Sequence, residues 1–172
     1  NKKAVEITRG EFDEPQGVVT NYTEQKLAVS MPMFCFGYKQ KIATPYRRLK
    51  SKVCVNLLLE IICGDASPLY ARLMNEGLIN DEFDCEYFNG NGYAAVIFEG
   101  ESNNPKRVSE EIKAEIKRLR IEGIDKKLFS AVKCGMYGSA VRKFNSVENL
   151  AMKLTECAMF DYNLFDEIKL LK

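Results

Sequence analysis

The sequence predicts an α+β fold in two layers, with a mainly antiparallel, mixed sheet and helices packed on one of its faces. Three observations carry that expectation. Apolar residues recur every three or four positions in several long stretches, as in helices that bury one stripe. Two runs of strand-like residues flank Asn89-Gly90-Asn91-Gly92, which marks a hairpin. The order along the chain is strands, a helix pair, the hairpin, then helices, which favours helices gathered on one side of an antiparallel sheet.

Taken in order, residues 1–16 are polar, with Gly10, Pro15 and Gly17 at their far end, and read as a lead-in or linker. Residues 17–172 then form one domain. Val18–Tyr22 is a candidate short strand, and Leu27–Tyr38 reads as extended. Pro32 belongs at an edge or bulge, and Gly37 suits a bulge or a close backbone approach. Arg47–Cys63 is the first helix, with Leu49, Val53, Leu57 and Ile61 on one stripe and Gly64 as its stop. Ser67 caps a second helix that opens with Pro68, buries Leu69, Tyr70 and Leu73, and ends at Asn75-Glu76-Gly77. Phe83–Phe88 and Tyr93–Glu99 form the hairpin. Asn104-Pro105 caps a third helix, with Val108, Ile112, Ile116 and Leu119 inward, and Gly123 closes it. Asp125 caps a fourth, with small residues at Ala131, Gly135 and Ser139. Ser146 or Asn145 caps a fifth, whose stripe is Leu150, Leu154, Cys157 and Ala158, and Asn163 caps a sixth.

Composition narrows the chemistry. The chain contains no histidine, which excludes a Ser-His-Asp triad, a Cys-His dyad and every histidine-built zinc site. With 46% hydrophobic and 28% charged residues the chain is globular, and a net charge of +1 provides no global field for nucleic acid or an anionic membrane. The apolar run Val53–Cys63 is interrupted by Asn56 and Glu60 and is too short to span a bilayer. The opening residues lack an apolar signal-peptide core. The six cysteines, at 35, 54, 63, 85, 134 and 157, form no C-x-x-C pair. They read as reduced, mostly buried residues of a cytoplasmic protein.

Several groups invite a functional reading beside a plainer one. Gly64-Asp65-Ala66-Ser67 at a helix start suits an anion, but without a P-loop's glycines and lysine it reads as a capped turn. Asp81, Glu82, Asp84 and Glu86 suit a hard cation, yet Glu82, Asp84 and Glu86 alternate along a strand as a solvated face would. Lys39, Lys41, Arg47, Arg48, Lys50 and Lys52, with Tyr38 and Tyr46, make a local basic patch with aromatics. A cysteine nucleophile would need activation by Lys, Arg or a helix N-terminus.

The stretch Leu57–Ile79 is more specific. A long apolar helix ends in Gly64, a turn reads Ser67-Pro68-Leu69-Tyr70, a short helix follows, and Glu76-Gly77-Leu78 leads to the sheet. This resembles the insulinase/pitrilysin family of zinc metallopeptidases, most closely the non-catalytic C-terminal domain of its processing-protease-like members. Val29–Lys39, Tyr93–Gly100 and Asn104-Pro105 resemble the flanking strands and next helix, so the resemblance runs from about Val18 onward. It implies the fold of the mitochondrial processing peptidase-like metallohydrolase domain. It also implies a two-part protein closing around a peptide, with zinc held by H-x-x-E-H in a catalytic half that this chain does not contain.

The expected role is therefore that of a chamber wall, docked on a catalytic peptidase half and enclosing a peptide substrate, with no catalytic or metal-binding residue of its own. Nucleic acid and membrane are not expected partners. The turn residues Ser67, Pro68, Leu69, Tyr70, Leu73, Gly77 and Leu78 are the substrate-chamber candidates. Many second halves read Leu-Arg-x-x-x-Gly-Leu-x-Tyr in the short helix, and the arginine and tyrosine help hold substrate. Here Met74 follows Leu73, the segment is one residue shorter, and Asn80 stands where the tyrosine would fall, so those roles are not carried over to Arg72 or Tyr70. The alternative is a domain of a catalytically inactive homologue that acts as scaffold or partner subunit.

Overall fold

The computed structural model describes residue 15, residues 17–90 and residues 92–172, apart from the side chains of Pro45 and Tyr46. The rest of the predicted lead-in lies outside the described residues. The chain is α+β as predicted. Its described sheet has three strands, β1 (Met33–Lys39), β2 (Asp84–Gly90) and β3 (Tyr93–Glu101), in the order β1-β3-β2, and both pairings are antiparallel. The helices are α1 (Pro45–Cys63), α2 (Pro68–Asn75), α3 (Pro105–Glu122), α4 (Lys126–Arg142), α5 (Val147–Phe160) and α6 (Asp166–Leu171).

The hairpin forms, but its strands run further than predicted. Gly90 pairs with Tyr93, so Asn89 and Gly90 belong to β2 and not to the turn. Val18–Tyr22 is not a strand, and Val18, Val19 and Tyr22 are exposed. Pro32 lies just before β1, where its carbonyl accepts a hydrogen bond from the Ser102 N–H at 2.9 Å. At Gly37 the register with β3 is continuous, so no bulge forms. The glycine is needed for close approach instead, since a Cβ there would collide with the Val96 carbonyl oxygen.

Alternation sets the two faces of the sheet. Ala94, Val96, Phe98 and Gly100 point inward on β3, and Phe34, Phe36, Cys85 and Tyr87 share that face by register. Against it pack Leu59, Ile62 and Cys63 of α1, Leu69 and Leu73 of α2, and Val108 and Ile112 of α3, with Leu78, Ile79 and Phe83 between. This is the helix-on-one-face arrangement that the periodicities implied. Asp84, Glu86 and Glu99 lie exposed on the opposite face.

A second, smaller core lies at the other end of α1. Leu49 and Val53 pack with Ala140 of α4 and Leu171 of α6, and with Met136, Tyr137, Tyr162 and Ile168 around them. One helix thus serves two cores, the sheet through its C-terminal half and the α4/α6 pair through its N-terminal half. That explains why the run Val53–Cys63 is apolar on nearly every side: a helix covered on several faces needs no wide polar stripe.

Two expectations fail in the C-terminal helices. On α5, Leu150 is half-buried and Cys157 buried, but Leu154 is 50% exposed and Ala158 faces outward. The side turned inward carries Lys153 and Glu156, whose charges are paired. Asn163 does not cap α6. The Asp166 carboxylate, in the first turn of α6, accepts hydrogen bonds from the Asn163 N–H at 2.9 Å and its side-chain amide at 3.2 Å.

Candidate functional site

The seven chamber candidates are the start and stop of α2. At the start, the Ser67 side chain accepts the Tyr70 N–H at 3.0 Å, and Pro68 occupies the first turn, where a missing N–H costs nothing. Ser67 is only 2% exposed, so its hydroxyl is committed to this cap. At the stop, the chain closes in the paired-bond helix terminus known as a Schellman motif. The Gly77 N–H donates to the Met74 carbonyl at 3.0 Å and the Leu78 N–H to the Leu73 carbonyl at 2.9 Å. Gly77 takes φ +64°, the left-handed geometry that this motif needs and that glycine adopts without strain. The apolar contact that accompanies the motif is present, because Leu73 and Leu78 are both buried in the sheet-side core.

Four of the seven, Ser67, Leu69, Leu73 and Leu78, are buried, Tyr70 is half-buried, and only Pro68 and Gly77 are exposed. The structure gathers them into one element, but most of them hold α2 to the sheet and do not face solvent. The sequence reading missed the aromatic residues that complete this contact. The Tyr70 ring lies 6.3 Å from Phe83, Phe83 lies 6.4 Å from Phe34, Phe34 lies 5.9 Å from Phe36, and Phe36 lies 5.1 Å from Phe98. Alternation of Phe34, Phe36 and Phe98 along their strands was the available signal; the register that joins them was not.

The two residues nearest the family's auxiliary arginine and tyrosine are held in structural roles. Arg72 binds Glu111 of α3 at 2.8 Å, and Arg107 of α3 binds Glu76 at 2.6 Å. Longer contacts, Arg72 to Glu76 at 3.8 Å and Arg107 to Glu111 at 4.0 Å, close the four charges into a ring between the helices. The hydrogen bond from Arg72 holds the Glu111 carboxyl below the usual carboxylate range. Asn80 donates from its side-chain amide to Glu101 at 2.9 Å, and its side-chain oxygen accepts the Glu82 N–H at 3.1 Å.

The other candidates resolve in plainer ways. Around Gly64-Asp65-Ala66-Ser67, burial, Asp65 and Asp84 push the Glu60 carboxyl up, so the local field is negative and opposes an anion. Among the described residues, no three Cys, Asp or Glu side chains converge as metal ligands, and the donor set here does not fit a resident zinc ion. Within the basic patch, Lys52 pairs with Glu156, Arg48 lies 5.1 Å from the Phe160 ring centre, and Lys39 donates to the Pro15 carbonyl at 2.8 Å. All six cysteines are free thiols. Only Cys63 and Cys157 are buried, so the expectation of mostly buried cysteines fails at Cys35, Cys54 and Cys134, which are exposed. No single helix among the described residues is long and apolar enough to cross a membrane.

Comparison with known proteins agrees with the fold. The sequence pattern of the family described as Peptidase M16 inactive domain matches residues 3–136, most of the chain. The chain belongs to that family and is a non-catalytic, peptidase-like domain. Over 171 residues it is 28% identical to the "Uncharacterized zinc protease YmfH" of Bacillus subtilis (strain 168), a match that takes in 97% of this chain and 39% of that protein. Its fold resembles the crystal structure of an M16-like peptidase from Alicyclobacillus acidocaldarius, with a TM-score of 0.77 at 22% identity over 83% of this chain and 35% of the other. The chain thus spans well under half the length of either relative.

Proposed function

We propose that this chain is the C-terminal, non-catalytic domain of a zinc-dependent endopeptidase, where it forms one wall of a peptide-enclosing chamber and docks on the catalytic half. The carrying observation is the match to the inactive M16 domain, in a chain whose most family-like segment is built into helix caps and core. Zinc and the hydrolytic groups belong to the other half, whose H-x-x-E-H motif needs histidines that this chain lacks. Here the α2 turn keeps the wall rigid, with Pro68 and Gly77 as its exposed points. The free thiols favour a reducing compartment, the cytoplasm.

The test is zinc content and peptidase activity of the isolated chain, then of the chain mixed with the catalytic half of its parent. The chain alone is expected to bind no stoichiometric zinc and to cleave nothing, and the mixture to form a complex that cleaves unstructured peptides. Tight zinc or robust cleavage by the chain alone would overturn the reading. A complex that forms but never cleaves, with a partner half lacking H-x-x-E-H, would favour the scaffold role instead.

A further inference from the structure

Helix α5 is inside out: its charged residues turn toward the protein and its apolar ones toward water. The Lys153 side chain is only 16% exposed and binds Glu156 and Glu167, and Glu156 in turn binds Lys52 of α1. Val147 is 86% exposed, Met152 69%, Met159 52% and Leu154 50%, with Ala151 and Ala158 exposed among them. Among the described residues of α5, Glu148 is the only exposed charged one.

A helix whose outer side meets only water carries its charges there. The opposite arrangement belongs to a helix with protein on both sides. Paired charges lock α5 to α1 and α6 on one side, and the apolar side calls for a cover. The outer face of the sheet needs no such cover, because Asp84, Glu86 and Glu99 expose charge there.

We propose that the outer face of α5 is the surface on which this domain docks to the catalytic half, and that the half meets it with an apolar, charge-poor surface. The proposal rests on the reading above, since that half is the part of the protein outside this chain. Size selects this occupant over a second copy. The 14 residues of α5 span about 21 Å, so one face offers about 400 Å², against the ~800 Å² per partner that a stable pair of free proteins buries. A contact that small holds only where other links keep the partner beside it, as within one polypeptide. The relatives have room for that partner: the matched stretch is 39% of the zinc protease and 35% of the M16-like peptidase, so more than half of each lies outside it.

Met152 and Met159 are the probes, because peroxide oxidises an exposed thioether faster than a covered one. Trypsin places them in separate peptides, residues 144–153 and 154–169, each with a single methionine. The isolated chain and the full-length parent are treated with dilute hydrogen peroxide beside free methionine as the reference, and sulfoxide is measured by mass spectrometry. In the isolated chain both methionines should oxidise close to the reference rate, and in the parent both should slow by about tenfold or more. Leu154→Glu should restore fast oxidation in the parent and leave the urea midpoint of the isolated chain unchanged. Equal rates in chain and parent would overturn the proposal. So would protection that appears in the isolated chain as its concentration rises, which assigns the face to a second copy. A parent that protects both methionines but binds no zinc and cleaves nothing would support the docking face and overturn only the peptidase reading.

Discussion

Ser67 and Gly77 show how one side chain can decide whether an eight-residue helix holds its place. Ser67→Ala removes the acceptor for the Tyr70 N–H in a buried setting and should cost about 1 kcal/mol or somewhat more. Gly77→Ala meets no steric obstacle, because nothing lies within 4 Å of the added methyl. Its cost is conformational, about 1–2 kcal/mol for a side chain held in left-handed geometry. Both losses should appear as lower urea midpoints with unchanged slope. The seven candidate positions were legible in the sequence because caps are local, and each partner lies within five residues of the other. Their burial was not, since it depends on Phe83, Val96 and Phe98 arriving from elsewhere in the chain.

At the scale of the element, α4 and α5 separate periodicity from packing. Gly135 and Gly138 lie inside α4, and an added Cβ at either would meet nothing within 4 Å. Each therefore weakens the helix without serving a contact in the isolated chain. Gly135→Ala and Gly138→Ala should each stabilise it by about 0.5–1 kcal/mol, read from thermal or urea unfolding. On α5, Val147, Ala151, Leu154 and Ala158 repeat at four- and three-residue steps, yet all are exposed. A stripe identifies a helix, but it does not say which face meets the core when paired charges occupy the other side.

Across the whole molecule, those paired charges join α5 to its neighbours. Lys153 bridges Glu156, at 3.1 Å, and Glu167 beside α6's first residue, while Glu156 also binds Lys52 of α1. Burial pushes the Glu156 carboxyl up, but its bonds to Lys52, Tyr162 and Lys153 outweigh burial and hold it at about 2. An unfolded glutamate titrates near 4.3, so this stabilisation is complete above that value and is lost as pH falls through about 2. Unfolding measured between pH 5 and pH 2 should show a steeper loss for the native chain than for Glu156→Gln, which starts less stable and changes less. Burial lowers the Lys153 ammonium's pKa, but Glu167 and Glu156 raise it further, so its share is present at neutral pH and fades only on the alkaline side.

The sequence by itself determined the α+β class, the helix starts at Ser67, Asn104, Asp125 and Ser146, the hairpin, and the absence of any histidine-based chemistry. These follow from interactions spanning a few residues or from composition alone. Only the tertiary structure decided that α1 serves two cores, that α5 turns its charged side inward, and that Arg72 closes an ion ring with α3. Each of those joins residues far apart in the chain. Their meeting is set by sheet register and helix packing, which local propensity does not encode.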